Sequence, residues 1–400
     1  ATYPFTHDAD GNQRVGAWDI GAYSVNLEMI DLDSDGLPDR WEQNYGLDIA
    51  QNDSSQDGDG DGLTNLEEYQ YGASPLAVDS DSDATNDYIE VQIGTSPYIN
   101  NQTRLVIVDT DASQNPDYTS LADAISSEKG VLYQPLMIRL RSSGGISDTQ
   151  AVDISGFGTT LETDLTIIFE KGYVLEVEAN RNYLKAITIS SDHVTLRGEG
   201  GELVVKNGGY HSIYGIYSSD QATGGRVIIE GLKIERSTRS NDSAIGIRTY
   251  SKYATHVIRN NVVTGFSDWG LYLYYETYTY NNTVYANRAG ILLSGQSGEL
   301  YNNIVVRNSA HDFYLWQDWA GVQTSHNISS DGTGPDVAFQ QKNVRFLDPL
   351  IPDYSLHPDD TSALDQGMNL SNATYGFNVD HDGALRNGQW DIGAYNLDLS

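Results

Sequence analysis

The stretch that decides the fold runs from residue 280 to residue 316. Here "YNNTVYANRAGILLSG" (280–295) is followed by "YNNIVVRNSAHDFYLW" (301–316), and "RNNVVTGFSDWGLYLYY" (259–275) precedes them on the same template. The three segments align at Asn261, Asn282 and Asn303, which are 21 residues apart. Apolar residues follow each of them at the same distances. A repeat of about this length indicates a stacked, repetitive architecture.

Each repeat contains short apolar runs separated by bends. Val263, Val284 and Val305 form one apolar position, and a second patch recurs at Leu271/Leu273, Ile291/Leu293 and Phe313/Leu315. A turn of roughly 20–25 residues with about three strands is typical of a parallel β-helix. Equivalent side chains then stack on successive rungs, so the asparagines predict a ladder of amide hydrogen bonds, a structural role and not a ligand-binding one.

An acidic segment precedes this region, because residues 31–90 hold 17 Asp or Glu and one Arg. "DLDSDGLPDRWE" (31–42) matches the twelve-residue calcium loop, with ligands at positions 1, 3, 5, 7 (a carbonyl), 9 and 12 and a Gly at position 6. "DGDGDGLTNLEE" (57–68) and "DSDSDATNDYIE" (79–90) repeat it, with Ala84 in place of the glycine in the third loop. The predicted ligands are Asp31, Asp33, Asp35, Leu37, Asp39 and Glu42; Asp57, Asp59, Asp61, Leu63, Asn65 and Glu68; and Asp79, Asp81, Asp83, Thr85, Asp87 and Glu90.

The spacing of these acids suits one cation. Ca²⁺ takes six to eight hard oxygen ligands, and alternate residues of a tight loop converge on one point. Without a cation the carboxylates repel one another. Three matches in 60 residues therefore predict Ca²⁺ as the cofactor, and a short helix-like stretch ending in Gly follows each loop.

The acidic region, residues 29–98, resembles bacterial thrombospondin type 3 calcium repeats. The resemblance implies a stiff, calcium-dependent spacer. No Met-rich amphipathic groove accompanies the loops, which argues against a calmodulin-like switch.

The C-terminal part also carries a resemblance. "FLDPLIPDYSLHPDDTSALDQGMN" (346–369) and "DHDGALRNGQWDIGAY" (380–395) resemble the end of secreted bacterial right-handed parallel β-helix proteins, the pectate-lyase-like, choice-of-anchor group. "TSLADAI" (119–125) resembles the entry helix of that group. The implied fold is all-β, a right-handed parallel β-helix over residues 104–400, preceded by a small calcium-loop rod with short helices. The fold hosts lyases, hydrolases, epimerases and adhesins, so it does not define an activity.

The chain begins with a copy of the segment that ends it. "ATYPFTHDADGNQRVGAWDIGAYS" (1–24) aligns without a gap with residues 373–396. Residues 1–28 therefore form a third region, a duplicated closing segment. Three arrangements remain open: the tail of a preceding unit in a tandem array, a segment donated to a neighbouring copy, or a cap on its own chain. We also expect residues 373–395 to cover the last rung of their own β-helix through Trp390, Ile392 and Tyr395.

Candidate catalytic residues are few. β-Helix lyases abstract a proton with Lys or Arg next to a uronate carboxylate. Lys233, Arg236 and Arg239 would form such a basic strip, although ordinary rim residues would have the same spacing. Several aromatic residues would either stack on sugars or pack at an interface: Trp269, Tyr272, Tyr274, Tyr275, Tyr278, Tyr280, Trp316 and Trp319.

Composition excludes several classes of function. The net charge of −33 argues against a nucleic-acid partner, and the lack of Cys excludes disulfides and thiol catalysis. No apolar run of membrane-spanning length occurs. We therefore expect a secreted, extracellular, calcium-stabilised structural or adhesive unit that assembles end to end with copies of itself into a filament. The alternative is a polysaccharide lyase acting on acidic polysaccharide.

Overall fold

The computed structural model describes residues 31–396 except 84, 94–95, 99–101, 146, 161–162, 179–182, 207–211, 220–223, 238–242, 295–296, 317–320, 349–352, 383–384 and 387–389. The duplicated segment at residues 1–28 and Arg239 lie outside the described residues. The chain divides into two compact units, Ala1–Gln102 and Thr103–Ser400.

The first unit contains three short helices, each of which starts at position 9 of an acidic loop. They are α1 (Asp39–Tyr45), α2 (Asn65–Tyr71) and α3 (Asp87–Ile93). Helix α2 begins with a capping box in which the Thr64 hydroxyl accepts the Glu67 N–H and the Glu67 carboxylate accepts the Thr64 N–H. Helices α1 and α2 end at Gly46 and Gly72, whose left-handed backbone stops them as the sequence predicts.

The second unit starts with a strand and one helix, α4 (Leu121–Glu128), and continues as three parallel sheets. Sheet I contains β1 (Arg104–Asp109), β2 (Leu136–Arg141), β4 (Leu165–Glu170), β7 (Val194–Glu199), β10 (Arg226–Glu230), β13 (Thr255–Arg259), β16 (Thr277–Tyr280), β19 (Gly298–Tyr301) and β22 (Val322–Ser325). Sheet II contains β5 (Val174–Glu178), β8 (Glu202–Lys206), β11 (Lys233–Arg236), β14 (Val262–Thr264), β17 (Thr283–Tyr285), β20 (Ile304–Val306) and β23 (Ile328–Ser329). Sheet III contains β3 (Val152–Ile154), β6 (Leu184–Ile189), β9 (Ile213–Ser218), β12 (Ala244–Thr249), β15 (Trp269–Tyr274), β18 (Ala289–Ser294) and β21 (His311–Leu315). An antiparallel hairpin, β24 (Phe346–Asp348) and β25 (Asp353–Leu356), follows the coil.

The chain visits the three sheets in rotation, so each strand pairs with the strand one turn later. Val263 pairs with Val284, which corresponds to Val305 on the next rung. Leu271, Ile291 and Phe313 form an equivalent column in sheet III. These columns have the register that the sequence repeat predicts, and the predicted fold class, an all-β right-handed parallel β-helix, is confirmed.

The second asparagine of each Asn-Asn pair points into the coil and forms the predicted ladder. The Asn282 amide donates to Asn303 Oδ1 at 3.0 Å and to the Ile258 carbonyl at 2.9 Å, and its own Oδ1 accepts from Asn261. Asn327 continues the ladder by one rung. These side chains are fully buried, so the ladder satisfies backbone groups at a corner where the strands end.

The first asparagine of each pair points outward. Asn260, Asn281 and Asn302 have positive φ values of 55°, 49° and 57°, a conformation that Asn tolerates better than most residues. Their amides donate to carbonyls of the C-terminal segment. Asn260 donates to Val379, Asn281 to both Asp391 and Gly393, and Asn302 to Met368. Each Asn-Asn pair therefore bonds to two partners: the first asparagine bonds to the C-terminal segment, and the second bonds to neighbouring rungs inside the coil.

The C-terminal segment lies along the outside of several rungs, so the expectation that it covers the last rung is wrong for Trp390 and Tyr395. Trp390 packs with Val257 and Tyr280 on the outer faces of β13 and β16, which are internal strands of sheet I. Ile392 packs with residues of β20 and β23, and Tyr395 with Val262 of β14. The outward amides explain this position, because they offer a column of donors that an end rung lacks.

Candidate metal centre

The structure brings together the first three acids of each loop. In the sets Asp31/Asp33/Asp35, Asp57/Asp59/Asp61 and Asp79/Asp81/Asp83, one carboxylate oxygen per residue lies within 4.8 Å of the others. Backbone N–H groups hold the aspartates in place: Asp31 accepts from Asp35 and Gly36, and Asp57 accepts from Gly60 and Gly62. Gly62 has φ of 112°, where a Cβ would be strained, so position 6 requires glycine for this turn.

Position 7 of each loop is held in the same way in all three repeats. The N–H groups of Leu37, Leu63 and Thr85 donate to the position 5 aspartates at 2.9, 2.7 and 2.8 Å. Leu37 and Leu63 also bury their side chains. The leucines therefore anchor the loops to a small apolar core, and their role as carbonyl ligands stays a prediction.

Position 12 supplies a buried carboxylate in each loop. Glu42, Glu68 and Glu90 have no exposed surface. Neither oxygen of Glu42 or of Glu68 has a hydrogen-bond donor within the described residues, and Asp33 Oδ2 and Asp59 Oδ2 also lack one. A buried carboxylate without a donor or counter-charge is strongly unfavourable, so these groups require a cation or a proton.

The electrostatics of the loops agree with this requirement. Burial, followed by repulsion from Asp33 and Asp35, raises the pKa of Glu42 to about 7. Burial and the neighbours Asp59 and Asp61 raise the pKa of Glu68 to about 8. Burial and Asp83 raise the pKa of Asp81 to about 6. In each loop several carboxylates therefore lie close together and repel one another.

Position 9 is used differently from the first three positions. Asp39 accepts the Leu32 N–H at 2.7 Å, Asp87 accepts the Ser80 N–H and hydroxyl, and the Asn65 amide donates to the Asp53 carbonyl at 3.0 Å. These side chains stabilise the loops, and their role as ligands stays a prediction.

The sequence pattern also misses one acid, Asp53, which forms a further set with Asp35 and Glu42. Asp53 lies outside any twelve-residue window, so loop spacing contains no signal for it.

Of the basic candidates, Lys233 and Arg236 are described, and they lie on opposite faces of β11. Lys233 lies on the outer face of β11, where its Nζ contacts Glu202 at 3.1 Å and Glu235 at 3.2 Å. Arg236 is buried on the opposite face and donates to the Ser267 hydroxyl at 2.6 Å. Burial alone would lower the pKa of Lys233, but the two glutamates raise it above its ordinary value, so the amine stays protonated.

Lys233 nevertheless lines a cleft of about 310 Å³. The other ionisable residues of its wall are Lys171, Glu202, His381 and Asp382. Burial lowers the pKa of His381, whose Nδ1 lies 2.8 Å from the Asn260 carbonyl. A protonated Lys233 beside carboxylates can bind an anionic group but is a poor general base.

An aromatic surface covers part of the outer face of sheet III. Arg248 lies at its centre with its guanidinium 5.1–5.9 Å from five ring centroids, and its Nη1 donates to the Tyr214 hydroxyl at 2.8 Å. We call this surface the tyrosine face, and its residues are Lys185, Tyr214, Tyr217, Arg248, Tyr250, Tyr272 and Tyr274. Tyr272 and Tyr274 stack at 4.8 Å, and Lys185 Nζ lies 3.5 Å above the Tyr217 ring. Several aromatic rings and two cationic side chains, those of Arg248 and Lys185, thus share one surface.

The order and pairing of its strands define the second unit as a parallel β-helix. The family described as "Periplasmic copper-binding protein (NosD)" matches residues 147–334, which are coils of the β-helix. Among solved structures, the chain is similar to pectate lyase Pel9A, with 13% identity, a TM-score of 0.28, and coverage of 75% of this chain and 98% of that one. No curated protein matches.

No helix in the described part of the chain is long and apolar enough to cross a membrane.

Proposed function

We propose that the chain is a calcium-stabilised structural or adhesive unit that acts outside the cytoplasm. The proposal rests on Glu42 and Glu68, two fully buried glutamates near the aspartates of the first and second loops. Neither glutamate has a hydrogen-bond donor among the described residues. A periplasmic or extracellular location, where free Ca²⁺ is plentiful, suits such sites, and the family that matches the β-helix is described as periplasmic.

Calcium fits the donor set better than other metals. The loops offer carboxylate and carbonyl oxygens, the hard ligands that Ca²⁺ prefers, with spacing that tolerates its irregular geometry. Copper, which the printed family description mentions, prefers imidazole and sulfur ligands. Among the described residues, the clusters able to hold a metal contain only Asp and Glu, which are calcium rather than copper ligands.

Bound calcium would stabilise the first unit directly. Among the residues of this unit that the structure describes, few apolar side chains are buried, and these include Leu37, Leu63 and Ala73. A unit with so little apolar core depends on other interactions, and cations that neutralise its acidic loops supply them. The cations also fix the relative positions of successive loops, which is the property required of a spacer.

The test compares two neighbouring glutamates of helix α2. Glu68→Gln removes a buried charge, whereas Glu67→Gln makes the same charge change at an exposed capping residue. Terbium luminescence and calorimetric titration with Ca²⁺ should show one site lost or weakened at least about tenfold in Glu68→Gln. Glu67→Gln should bind like the parent protein. A parent protein that binds no Ca²⁺ at millimolar concentration would refute the proposal.

We further propose that the first closing segment binds a neighbouring copy of the β-helix. In the second copy, Arg386 donates to Gly393 and Ala394 carbonyls, and Trp390 and Ile392 pack on the coil. The first copy has the same residue types at the positions 372 lower: Arg14, Trp18, Ile20, Gly21 and Ala22. It therefore has the same packing side chains, and it needs another surface of the neighbouring chain, because that chain's own C-terminal segment already occupies its asparagine column.

Deletion of residues 1–23 tests the assembly proposal. Light scattering in calcium buffer should show larger species for the full chain than for the deletion variant. Trp18→Ala should weaken association as deletion does, while Leu32→Ala, an exposed residue of the first loop, should not. An assembly state that does not depend on residues 1–23 would contradict the proposal.

The tyrosine face favours a second candidate function, the binding of acidic polysaccharide. Its rings can stack on sugar faces, and Arg248 and Lys185 can pair with uronate carboxylates. Binding is better supported than elimination, because Lys233 is held protonated and Arg236 is buried on the other face of its strand.

Affinity electrophoresis in gels containing polygalacturonate tests this second function. The parent protein should be retarded, and Arg248→Met and Tyr217→Ala should each reduce the retardation. Arg288→Met is the matched control, since Arg288 is exposed and pairs with Asp268. Equal migration of the parent protein with and without polymer would exclude the function.

A further inference from the structure

Asp53 lies in the connection between helix α1 and the second acidic loop, and its side chain points to acidic neighbours. One oxygen each from Asp35, Glu42 and Asp53 lies within 4.8 Å of the others. Asp53 is 5% exposed and Glu42 is 0% exposed. Asp53 Oδ1 and both oxygens of Glu42 lack a hydrogen-bond donor. Three carboxylates thus converge in a place that water barely reaches.

The local backbone does not explain why an acid is needed there. The N–H groups of Asp53 and Ser54 both donate to Asp35 Oδ2 at 3.0 Å, and these bonds would form with any side chain at position 53. The carboxylate itself is unfavourable in this position, because it is 5% exposed, lies beside the carboxylates of Asp35 and Glu42, and has no hydrogen-bond donor at Oδ1. In this position the carboxylate therefore requires a nearby cation or a proton.

We propose that Asp53 is a ligand of the first-loop cation, supplied from outside the twelve-residue loop. This inference rests on the proposed calcium function. Metal–oxygen distances of about 2.3–2.6 Å place two ligands of one Ca²⁺ at most roughly 5 Å apart, which agrees with the separation within the Asp35/Glu42/Asp53 set. The added carboxylate increases the negative charge of the first site beyond that of the acidic ligands predicted within its own loop.

The same residue connects the first site to the second repeat. The Asp53 carbonyl accepts the Asn65 amide at 3.0 Å, and the Ser54 carbonyl accepts the Leu66 N–H at 3.1 Å. Both donors belong to the start of helix α2, whose Glu68 faces the second acidic triad. A cation held by Asp53 therefore orders the start of the second site, and the two sites bind with positive coupling.

Asp53→Asn tests the inference, with Asp48→Asn as the matched control. Asp48 is five residues away and exposed, so both variants lose one charge from the same connection. Calorimetric titration should show the tightest Ca²⁺ site weakened at least about tenfold in Asp53→Asn. Asp48→Asn should remain within about twofold of the parent protein. Equal effects of the two variants would overturn the inference.

Stability in EDTA separates a ligand from a structural residue. Removing a repelled charge should leave the cation-free first unit as stable as before, or more stable, while calcium affinity falls. A loss of stability in EDTA together with unchanged calcium affinity would overturn the assignment. A parent protein without calcium binding would instead refute the proposed function, so the two failures are distinguishable.

Discussion

At the scale of single residues, the Asn-Asn pairs show how two adjacent identical side chains take different roles. The second member points inward and bonds its counterparts on neighbouring rungs, while the first points outward to the C-terminal segment. The 21-residue repeat predicted the inward ladder. The outward role could not be predicted, because the partners of these amides lie 66 to 119 residues away in sequence.

Asn282→Leu should destabilise the second unit. The substitution removes an amide that donates to the Ile258 carbonyl and to Asn303, and it leaves these acceptors buried. The expected loss is about 1–3 kcal/mol in the free energy of unfolding. Urea denaturation followed by circular dichroism measures it. Asn343→Leu, at an exposed position, should change the free energy little, and equal losses in both variants would contradict the ladder's role.

Glu42 and Glu68 predict an unusual pH dependence of the cation-free protein. Their pKa values rise from 4.5 to about 7 and about 8 in the folded state, so the folded first unit holds protons that the unfolded chain releases. Its free energy of unfolding in EDTA should therefore fall as the pH rises from about 5 to about 8. Denaturation at these two pH values measures the effect. Stability that increases over this range would contradict the prediction, and Glu68→Gln should reduce the dependence.

At the scale of elements, the acidic loops were predictable because their spacing is local. Positions 1, 3 and 5 converge as expected, since each is held by N–H groups of its own loop. Asp53 and the second asparagine ladder, Asn287 with Asn308, were missed. The partners of Asp53 and of Asn287 come from a different loop or a different turn of the coil. A short window of sequence therefore does not show which residues will lie beside them.

The C-terminal segment depends on Arg386, which the family resemblance identified only as a position in a motif. Arg386 is 4% exposed and donates to Asn260 Oδ1 and to the Gly393 and Ala394 carbonyls. Arg386→Met should release this segment and leave the rungs intact, because the coil's inner core does not include it. Hydrogen exchange should show faster exchange at residues 390–396 only. The control is Arg345→Met, whose parent side chain is about half exposed. Unchanged exchange at residues 390–396 would contradict the role assigned to Arg386.

At the scale of the whole molecule, the two units are stabilised by different forces. The β-helix has a continuous apolar interior from Val106 to Val322, whereas the described part of the first unit consists of acidic loops with few buried apolar side chains. Apolar burial of this kind needs no cation. The stability of the two units should therefore respond differently to calcium.

Calorimetry of the full chain should resolve two transitions, of which one moves with calcium. A ligand that binds only the folded state adds roughly 2.7 kcal/mol at a concentration a hundred times its Kd, so the first unit should melt much later in Ca²⁺ than in EDTA. The β-helix transition should stay in place, because its interior contains no cation ligand among the described residues. Mg²⁺ at the same concentration is the control, since its stricter octahedral geometry suits these loops less well. Proteolysis should in parallel cut residues 29–98 in EDTA and spare residues 104–396. If both transitions moved together with calcium, or neither did, the division into a cation-held spacer and an independently folded coil would be wrong.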